Sequence, residues 1–398
     1  MSTGNRKLMP AVVLSSHTMG LAVIRALGMM GVPVVVFYYD KNDMGYVSKY
    51  VSYRKYLCHP EKNEEEFIQE LKEYARQNGD AILIPADDAT LTVVSKHKSD
   101  LERYFIVACP EWEITERYID KKFTYTIADE AGVPVPHTIL PYSIKDIEKS
   151  EDIIRYPCIV KPCKSHQFYE VFNKKYFKAD NYDQLVAAYR LAVESGIKVM
   201  IQEYIPGEDH NGANYSSYFW NGEAITEYTS EKFRLSPPES GVPCVVRSKF
   251  IPEIVESGRQ VLKSLGFYGY SCIEFKKDDR DGIYKLMEVN GRYNRSNLLS
   301  LMCGLNYPWI EYKHLVHGEL PAAQVLAGNE VYWIDEFRDF FNSPGNLKRC
   351  RYSLLRFNRP YLRKHVFSIF DRKDLKPFLK RCADLFKMSL KVISSASS

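Results

Sequence analysis

Apolar residues run along this chain in two rhythms. Ala11 to Leu14 and Val34 to Tyr38 are unbroken apolar runs; between them Met19 to Met30 carries apolar residues at helical spacing and stops at Gly31. Continuous apolar strands suit a parallel sheet covered on both faces, so this is a βαβ unit. Ser15-Ser16-His17-Thr18 is a polar loop able to cap the helix. A second cycle follows. Glu64 to Asn78 has helical periodicity, Gly79-Asp80 breaks it, and Ala81 to Ile84 is a strand ending in the loop Pro85-Ala86-Asp87-Asp88. Phe105 to Ala108 supplies another strand. Residues 1 to about 110 therefore predict a small doubly wound domain with ligand loops at strand C-termini. The first loop has no G-x-G-x-x-G, so no dinucleotide site is expected there.

From Glu111 the texture changes. A helix over Lys121 to Ala131 ends at Gly132 and runs into extended Val133-Pro134-Val135-Pro136. Strand-like pieces follow at Cys158–Lys161, Val199–Tyr204, Tyr215–Trp220, Val242–Arg247, Tyr270–Lys276 and Ile283–Val289. Helices are predicted over Tyr182–Ser195 and Ile254–Leu265. Strands that mostly succeed one another indicate α+β architecture after an α/β start. The expected units are an N-terminal α/β domain (1–110), a larger α+β domain (111–330) and a C-terminal extension (331–398).

Length and composition narrow the class. A chain of 398 residues with 45% hydrophobic and 26% charged residues is an ordinary globular protein of two or three domains. Its 54 Lys+Arg against 50 Asp+Glu argue against a dedicated nucleic-acid binder. The charge is uneven, however: residues 331–398 hold 15 Lys/Arg and 6 Asp/Glu. The nine cysteines form no C-x-x-C pair, so neither a zinc site nor a disulfide framework is suggested, and a cytoplasmic location is expected. The N-terminal apolar run is too short and too interrupted for a signal peptide or a membrane span.

The chemistry concentrates in GYSCIEFKKDDRDGIYKLMEVNGRYNRS, Gly269 to Ser296. The turn cluster Asp278 to Gly282 makes this a β-hairpin. Pairing across a turn near Arg280 sets Glu274 opposite Leu286, with Glu288 its diagonal neighbour on the same face and Asn290 two residues further on. Two carboxylates and an amide oxygen on apolar strands need a cation, and hard oxygen ligands suit Mg²⁺, often shared with phosphates. The competing reading is a solvated hairpin face. Lys161, inside the apolar strand YPCIVKP, is a second candidate, because a buried lysine needs an anionic partner such as phosphate. An edge-strand lysine that snorkels to water is its alternative. In VMIQEYIPGED an apolar strand runs into a bend that exposes backbone groups and then acids, which suits a purine edge and ribose hydroxyls or an ordinary strand-to-loop transition.

Taken in order, Lys121 before a helix ending in GVPVP, then YPCIVKP, QEYIPGED and IEF…LMEVNGR resemble the motifs of the ATP-grasp superfamily over Asp120 to Ser296. Gly207-Glu208-Asp209 and Asn290 to Ser296 are most similar to its carboxylate–amine ligases of the D-aspartate ligase kind. The resemblance implies two α+β lobes around ATP, preceded by an α/β domain. It implies that Lys121 and Lys161 contact nucleotide phosphates, and that Glu203 with the Tyr204-Ile205 backbone holds adenine. Asp209, with Glu208 as second choice, would take the ribose. Glu274, Glu288 and Asn290 would ligate Mg²⁺, with Mn²⁺ as an alternative. Arg292 would steady the transferred phosphoryl group, Arg295 a substrate carboxylate or phosphate, and Arg247 is a further catalytic candidate. The chain departs from many members in its glycine-free segment Cys163 to Tyr169, where Lys164, Ser165 and His166 replace a glycine-rich loop.

The implied activity is amide formation through an acyl phosphate, with small-molecule carboxylate and amine substrates and release of ADP and phosphate. Substrate choice would fall to Ser15–Thr18 and to Asp87-Asp88, which either recognise an ammonium group or cap a helix at Asp88. The alternatives are a kinase or phosphotransferase, or a nucleotide-binding regulator without turnover. The basic tail Lys348–Lys391 reads as an amphipathic helix on an anionic membrane, or as a helix packed on the body with a solvated basic face. Oligomeric state is not set by the sequence.

Overall fold

The computed structural model describes residues 8–163, 168, 171–238, 241–340 and 353–396, with side chains as far as residue 390. Strands β1 (Ala11–Leu14), β2 (Val34–Tyr38), β3 (Val51–Tyr56), β4 (Ala81–Pro85) and β5 (Phe105–Val107) form a parallel sheet in the order β3-β2-β1-β4-β5. Each residue of β1 is fully buried, as its unbroken apolar run requires. The chain leaves β1 toward β2 on one side and reaches β4 on the other, so the loops after β1 and β4 meet at the reversal of strand order.

A second, antiparallel sheet holds β6 (Thr138–Ile139), β7 (Cys158–Pro162), β8 (Phe177–Ala179) and β9 (Val199–Glu203), ordered β6-β9-β7-β8. It has a core of its own, in which Val160, Ile201, Leu185 and Ile147 meet. The third sheet is built on β10 (Gly212–Trp220), β11 (Glu223–Ser236), β12 (Val242–Ser248), β13 (Gly269–Lys277) and β14 (Tyr284–Asn290), in the order β14-β13-β10-β11-β12. Short strands β15 (Gln324–Val325), β16 (Tyr332–Ile334) and β17 (His365–Phe367) complete it. Its apolar face packs against the first sheet's helices: Ile273, Phe275, Leu286 and Val289 share a core with Leu91, Leu101 and Tyr118.

Several expectations are corrected. The first helix spans Thr18–Gly28, and its N-cap is the His17 ring, whose Nδ1 accepts from Met19 N at 3.1 Å. The loop after β4 is only Ala86-Asp87 and opens the helix Asp88–Lys96, whose N-cap is Asp87 rather than Asp88; Asp87 accepts from Thr90 N at 2.8 Å in a capping box. The extension past 331 is not simply a helical tail. β16 and β17 continue the large sheet, and buried ion pairs Arg234–Asp339 (2.8 Å) and Arg25–Asp374 (3.0 Å) fasten the segment to β11 and to the first helix. Asp374 also accepts from Ser48 Oγ and Lys49 N, both at 2.8 Å. All eight described cysteines are free.

Candidate active site

The hairpin β13–β14 supplies the centre. Glu274 lies directly opposite Glu288, and Phe275 opposite Leu286, so Met287 is an extra residue that bulges β14. The bulge corrects the expected register. Leu286 turns into the core, fully buried beside Phe275, while Glu274, Glu288 and Asn290 share the other face. A strict period of two would have left Leu286 between the acids; one added residue removes it.

Cations surround the two carboxylates. Lys121, first residue of the helix Lys121–Glu130, reaches Glu288 Oε1 at 2.7 Å. Burial alone would raise the Glu288 carboxyl, but Lys121, with Arg292 and Lys161 beyond it, holds it well below the usual range. Lys232, on the sequence-missed strand β11, pairs with Glu274. Asn214 faces Glu274 from β10, and its Oδ1 is buried without a hydrogen bond among the described residues, as is Asn294 Oδ1. Hard oxygens thus converge around Glu274, Glu288 and Asn290, a donor chemistry that fits a divalent cation. No group of three or more His, Cys, Asp or Glu suited to a metal occurs among the described residues, so such a site would rest on two carboxylates plus amide oxygens.

Lys161 enters from the small sheet. It is only 8% exposed, and among the described residues its ammonium makes no ion pair. It donates instead to Tyr125 Oη at 2.6 Å, and Tyr125 Oη donates to Met287 O at 2.5 Å. Burial first, and then repulsion from Lys121, push Lys161 down to about 7. Lys121 is tied to the same strand end, since its N–H donates to Cys163 O at 3.3 Å. Lys121 and Lys161 thus both stand beside the hairpin carboxylate Glu288. The segment that would close over them, Lys164–His166, lies outside the described residues.

The other candidates divide. Arg292 sits beside the cluster and grips Asp88 with two hydrogen bonds, Nε at 2.8 Å and Nη2 at 2.9 Å. Gly291 before it packs on Tyr118, whose ring a Cβ would meet at 2.5 Å. Arg295 donates to Asp335 at 2.6 Å, a carboxylate it shares with Arg338. Arg247 is not brought to the cluster: it pairs in register with Glu231, at 2.5 Å, on the face of the sheet opposite Lys232 and Glu274. The Glu203 carboxylate is not open to a purine either. It accepts from His137 N (2.9 Å), Arg280 Nη2 (2.8 Å) and Lys285 Nζ (3.2 Å). Tyr204 N–H donates to Pro157 O at 3.1 Å, and Ile205 is buried beside it. Asp209 is 5% exposed and accepts from Leu235 N at 2.8 Å, whereas Glu208 is exposed and pairs with His210 at 3.3 Å.

Sequence reasoning missed Lys232 and Asn214; a lysine and an asparagine within otherwise strand-like stretches were the available signal. It also missed the partner of Arg292. At the first sheet's switch point, Asp87 takes Tyr39 Oη at 2.5 Å and lies 3.4 Å from His17 Nε2, while Asp43 accepts from Ser16 N and Oγ at 2.9 and 3.1 Å. Arg292 and Asp88 join this loop cluster to the hairpin.

No family model matches the sequence. It is 26% identical over 244 residues to D-aspartate ligase from Enterococcus faecium, covering 58% of each chain. It is 25% identical over 186 residues to D-alanine–D-alanine ligase from a Thermoanaerobacter species, covering 43% of this chain and 50% of that one. The match thus spans between half and two thirds of the length of these two relatives. Among solved structures, biotin carboxylase from Campylobacter jejuni superposes with a TM-score of 0.65 at 16% identity, over 82% of this chain and 75% of that one. L-amino acid ligase from Bacillus licheniformis superposes with a TM-score of 0.62 at 16% identity, over 80% and 78%. The fold is the mixed α/β fold of these solved structures, with parallel and antiparallel sheets.

Proposed function

We propose that this chain is an ATP-dependent carboxylate–amine ligase. One observation carries the reading: Lys161 is a buried ammonium without an anionic partner among the described residues, placed beside Lys121 and the hairpin carboxylates. A nucleotide phosphate supplies the charge that Lys161 lacks and would displace Lys121 from Glu288. Glu274, Glu288 and Asn290 would hold Mg²⁺, or Mn²⁺ in its place, and the metal would neutralise phosphate charge. Tyr204 and Ile205 line the adenine position, Asp209 the ribose, and Glu203 acts by holding that strand in place. The domain limits 1–110, 111–330 and 331–398 belong to the same reading, as does a cytoplasmic location.

The chemistry needs positioning more than covalent help. A carboxylate oxygen attacks the γ-phosphorus and ADP leaves; the amine nitrogen then attacks the acyl carbon, phosphate leaves, and the amine gives up a proton. Arg292 suits a bidentate hold on the transferred phosphoryl oxygens, a grip that Asp88 occupies now. Arg295 would hold a substrate carboxylate or phosphate. The loops Ser15–Thr18 and Asp87-Asp88 select the substrates. The names of the sequence relatives, a D-aspartate ligase and a D-alanine–D-alanine ligase, support an amino-acid substrate, joined in this reading to another amino acid or to a cell-wall peptide precursor.

The test is ADP release with Mg²⁺-ATP over amino acids and peptide precursors, with mass spectrometry of the product. A ligase gives amide plus free phosphate, and Glu288→Gln abolishes both while keeping the fold. A phosphorylated product without free phosphate would assign a kinase instead. Undiminished ADP release by Glu288→Gln would remove the metal assignment.

A further inference from the structure

The helix Lys376–Ala396 has no place in the chemistry above, and its surface is unusual. Its first turns are fixed. Asp374, just ahead of it, is fully buried against Arg25; Phe378 packs on Phe337 and Phe370 with ring centres 5.4 and 5.2 Å apart; and Lys380 donates to Lys41 O at 3.0 Å. The helix therefore cannot roll to hide another face. On the side away from the body, Leu375, Leu379, Phe386 and Leu390 recur at helical spacing and are 44, 60, 66 and 50% exposed. Four large apolar side chains in one stripe form an exposed patch of the kind that marks an interaction surface.

Charge decides what covers it. Over residues 376–396 there are five Lys/Arg and one acid, Asp384. Lys376, Lys380 and Lys387 fall at the edge of the apolar stripe on a helical projection. The body continues the pattern beside the helix. Lys380 lies 5.4 Å over the Tyr46 ring, Arg54 lies 5.5 Å from the centre of the same ring, and Lys41 sits 5.0 Å over the half-exposed Tyr56. Tyrosines and cations bordering an apolar helix face match the headgroup layer of an anionic bilayer, where ring, ammonium and hydrocarbon each find their level. A second copy of the chain would bring like charge to like charge. No described helix is long and apolar enough to cross a membrane, so the contact is in-plane.

We infer that the helix Lys376–Ala396, with the Tyr46–Tyr56 edge of the first sheet, rests on an anionic lipid surface. The full chain should co-sediment with vesicles of phosphatidylglycerol and phosphatidylcholine, bind pure phosphatidylcholine vesicles far less, and be released by salt. Leu379→Glu and Phe386→Glu, both at exposed sites, should each weaken partitioning about tenfold or more. ADP release and circular dichroism should stay at the level of the unaltered chain. Absence of binding by the full chain to the anionic vesicles would overturn the inference, as would binding that both variants retain. A dimer that Phe386→Glu dissociates, without vesicle binding, would assign the stripe to a second copy and equally overturn it.

Discussion

Two acid–base clusters sit on the same hairpin, and they are built to opposite rules. At its turn, Glu203, Asp278 and Asp281 meet Arg280, Lys285 and Arg155, three acids against three bases. Asp278 is fully buried, with Arg280 Nη2 at 2.6 Å and Lys285 Nζ at 2.8 Å. The hydrogen bonds from Arg280, with Lys285 behind them, hold its carboxyl far below the usual range. That cluster is closed. Halfway along the same strands, Glu274 and Glu288 are about one-third exposed and each meets a single lysine, while Lys161 meets no acid among the described residues and Arg292 borrows Asp88 from the helix after β4. Cations outnumber acids there. Identical residue types thus make a structural clamp in one place and an anion receptor in the other, and the balance of charge tells them apart.

The contrast can be broken by substitution. The largest effect is expected at the closed cluster. Glu203→Ala leaves Arg280 and Lys285 short of a partner and should destabilise the chain by ~3–5 kcal/mol in denaturant unfolding. A loss below about 1 kcal/mol would mean the clamp is not one. Lys161→Met should do the reverse: stability is unchanged or higher, because a lone buried charge disappears, while ADP release falls by about 100-fold or more. Equal loss of stability and activity in both variants would erase the distinction between the clusters.

A pH series sharpens it. Lys161 loses its proton near 7 in the fold against an ordinary value of 10.5. Between those values the unfolded chain holds more protons, so the residue's contribution to stability falls as pH is lowered from about 10.5 toward 7. Lys161→Met should flatten that part of the profile in urea titrations, and a profile identical to that of the unaltered chain would contradict the burial argument. The smallest effect is expected at the clamp between Arg292 and the exposed Asp88. Asp88→Asn should change stability by about 1 kcal/mol or less and alter the apparent substrate constant more than the maximal rate.

What the sequence exposes about this site follows from locality. Glu274, Glu288 and Lys161 stand out because each is a charge inside a short apolar strand, and the motif order adds their common purpose. The bulge at Met287 is invisible, since nothing in YKLMEVN marks the extra residue; it is set by packing Leu286 and Val289 into one core. β11 is the instructive failure. Its 14 residues read as polar, yet it is largely buried, because its partners come from far along the chain: Arg259 for Glu227, Arg247 for Glu231, Glu274 for Lys232 and Asp339 for Arg234. A central strand whose polar groups are paired at long range carries no apolar alternation to read. β3 fails for the opposite reason, being an exposed edge rich in Tyr, Arg and Lys. The same distance hides the true use of Glu203, whose motif position suggests adenine but whose hydrogen-bonded cations, Arg280 and Lys285, come from the hairpin turn.

Calorimetric titration of Mg²⁺-ATP into the full chain and into Lys161→Met tests the central claim most directly. If Lys161 is the buried cation awaiting phosphate, the variant binds about tenfold or more weakly while unfolding at the same or a higher denaturant concentration. Equal affinity in the two proteins would contradict it.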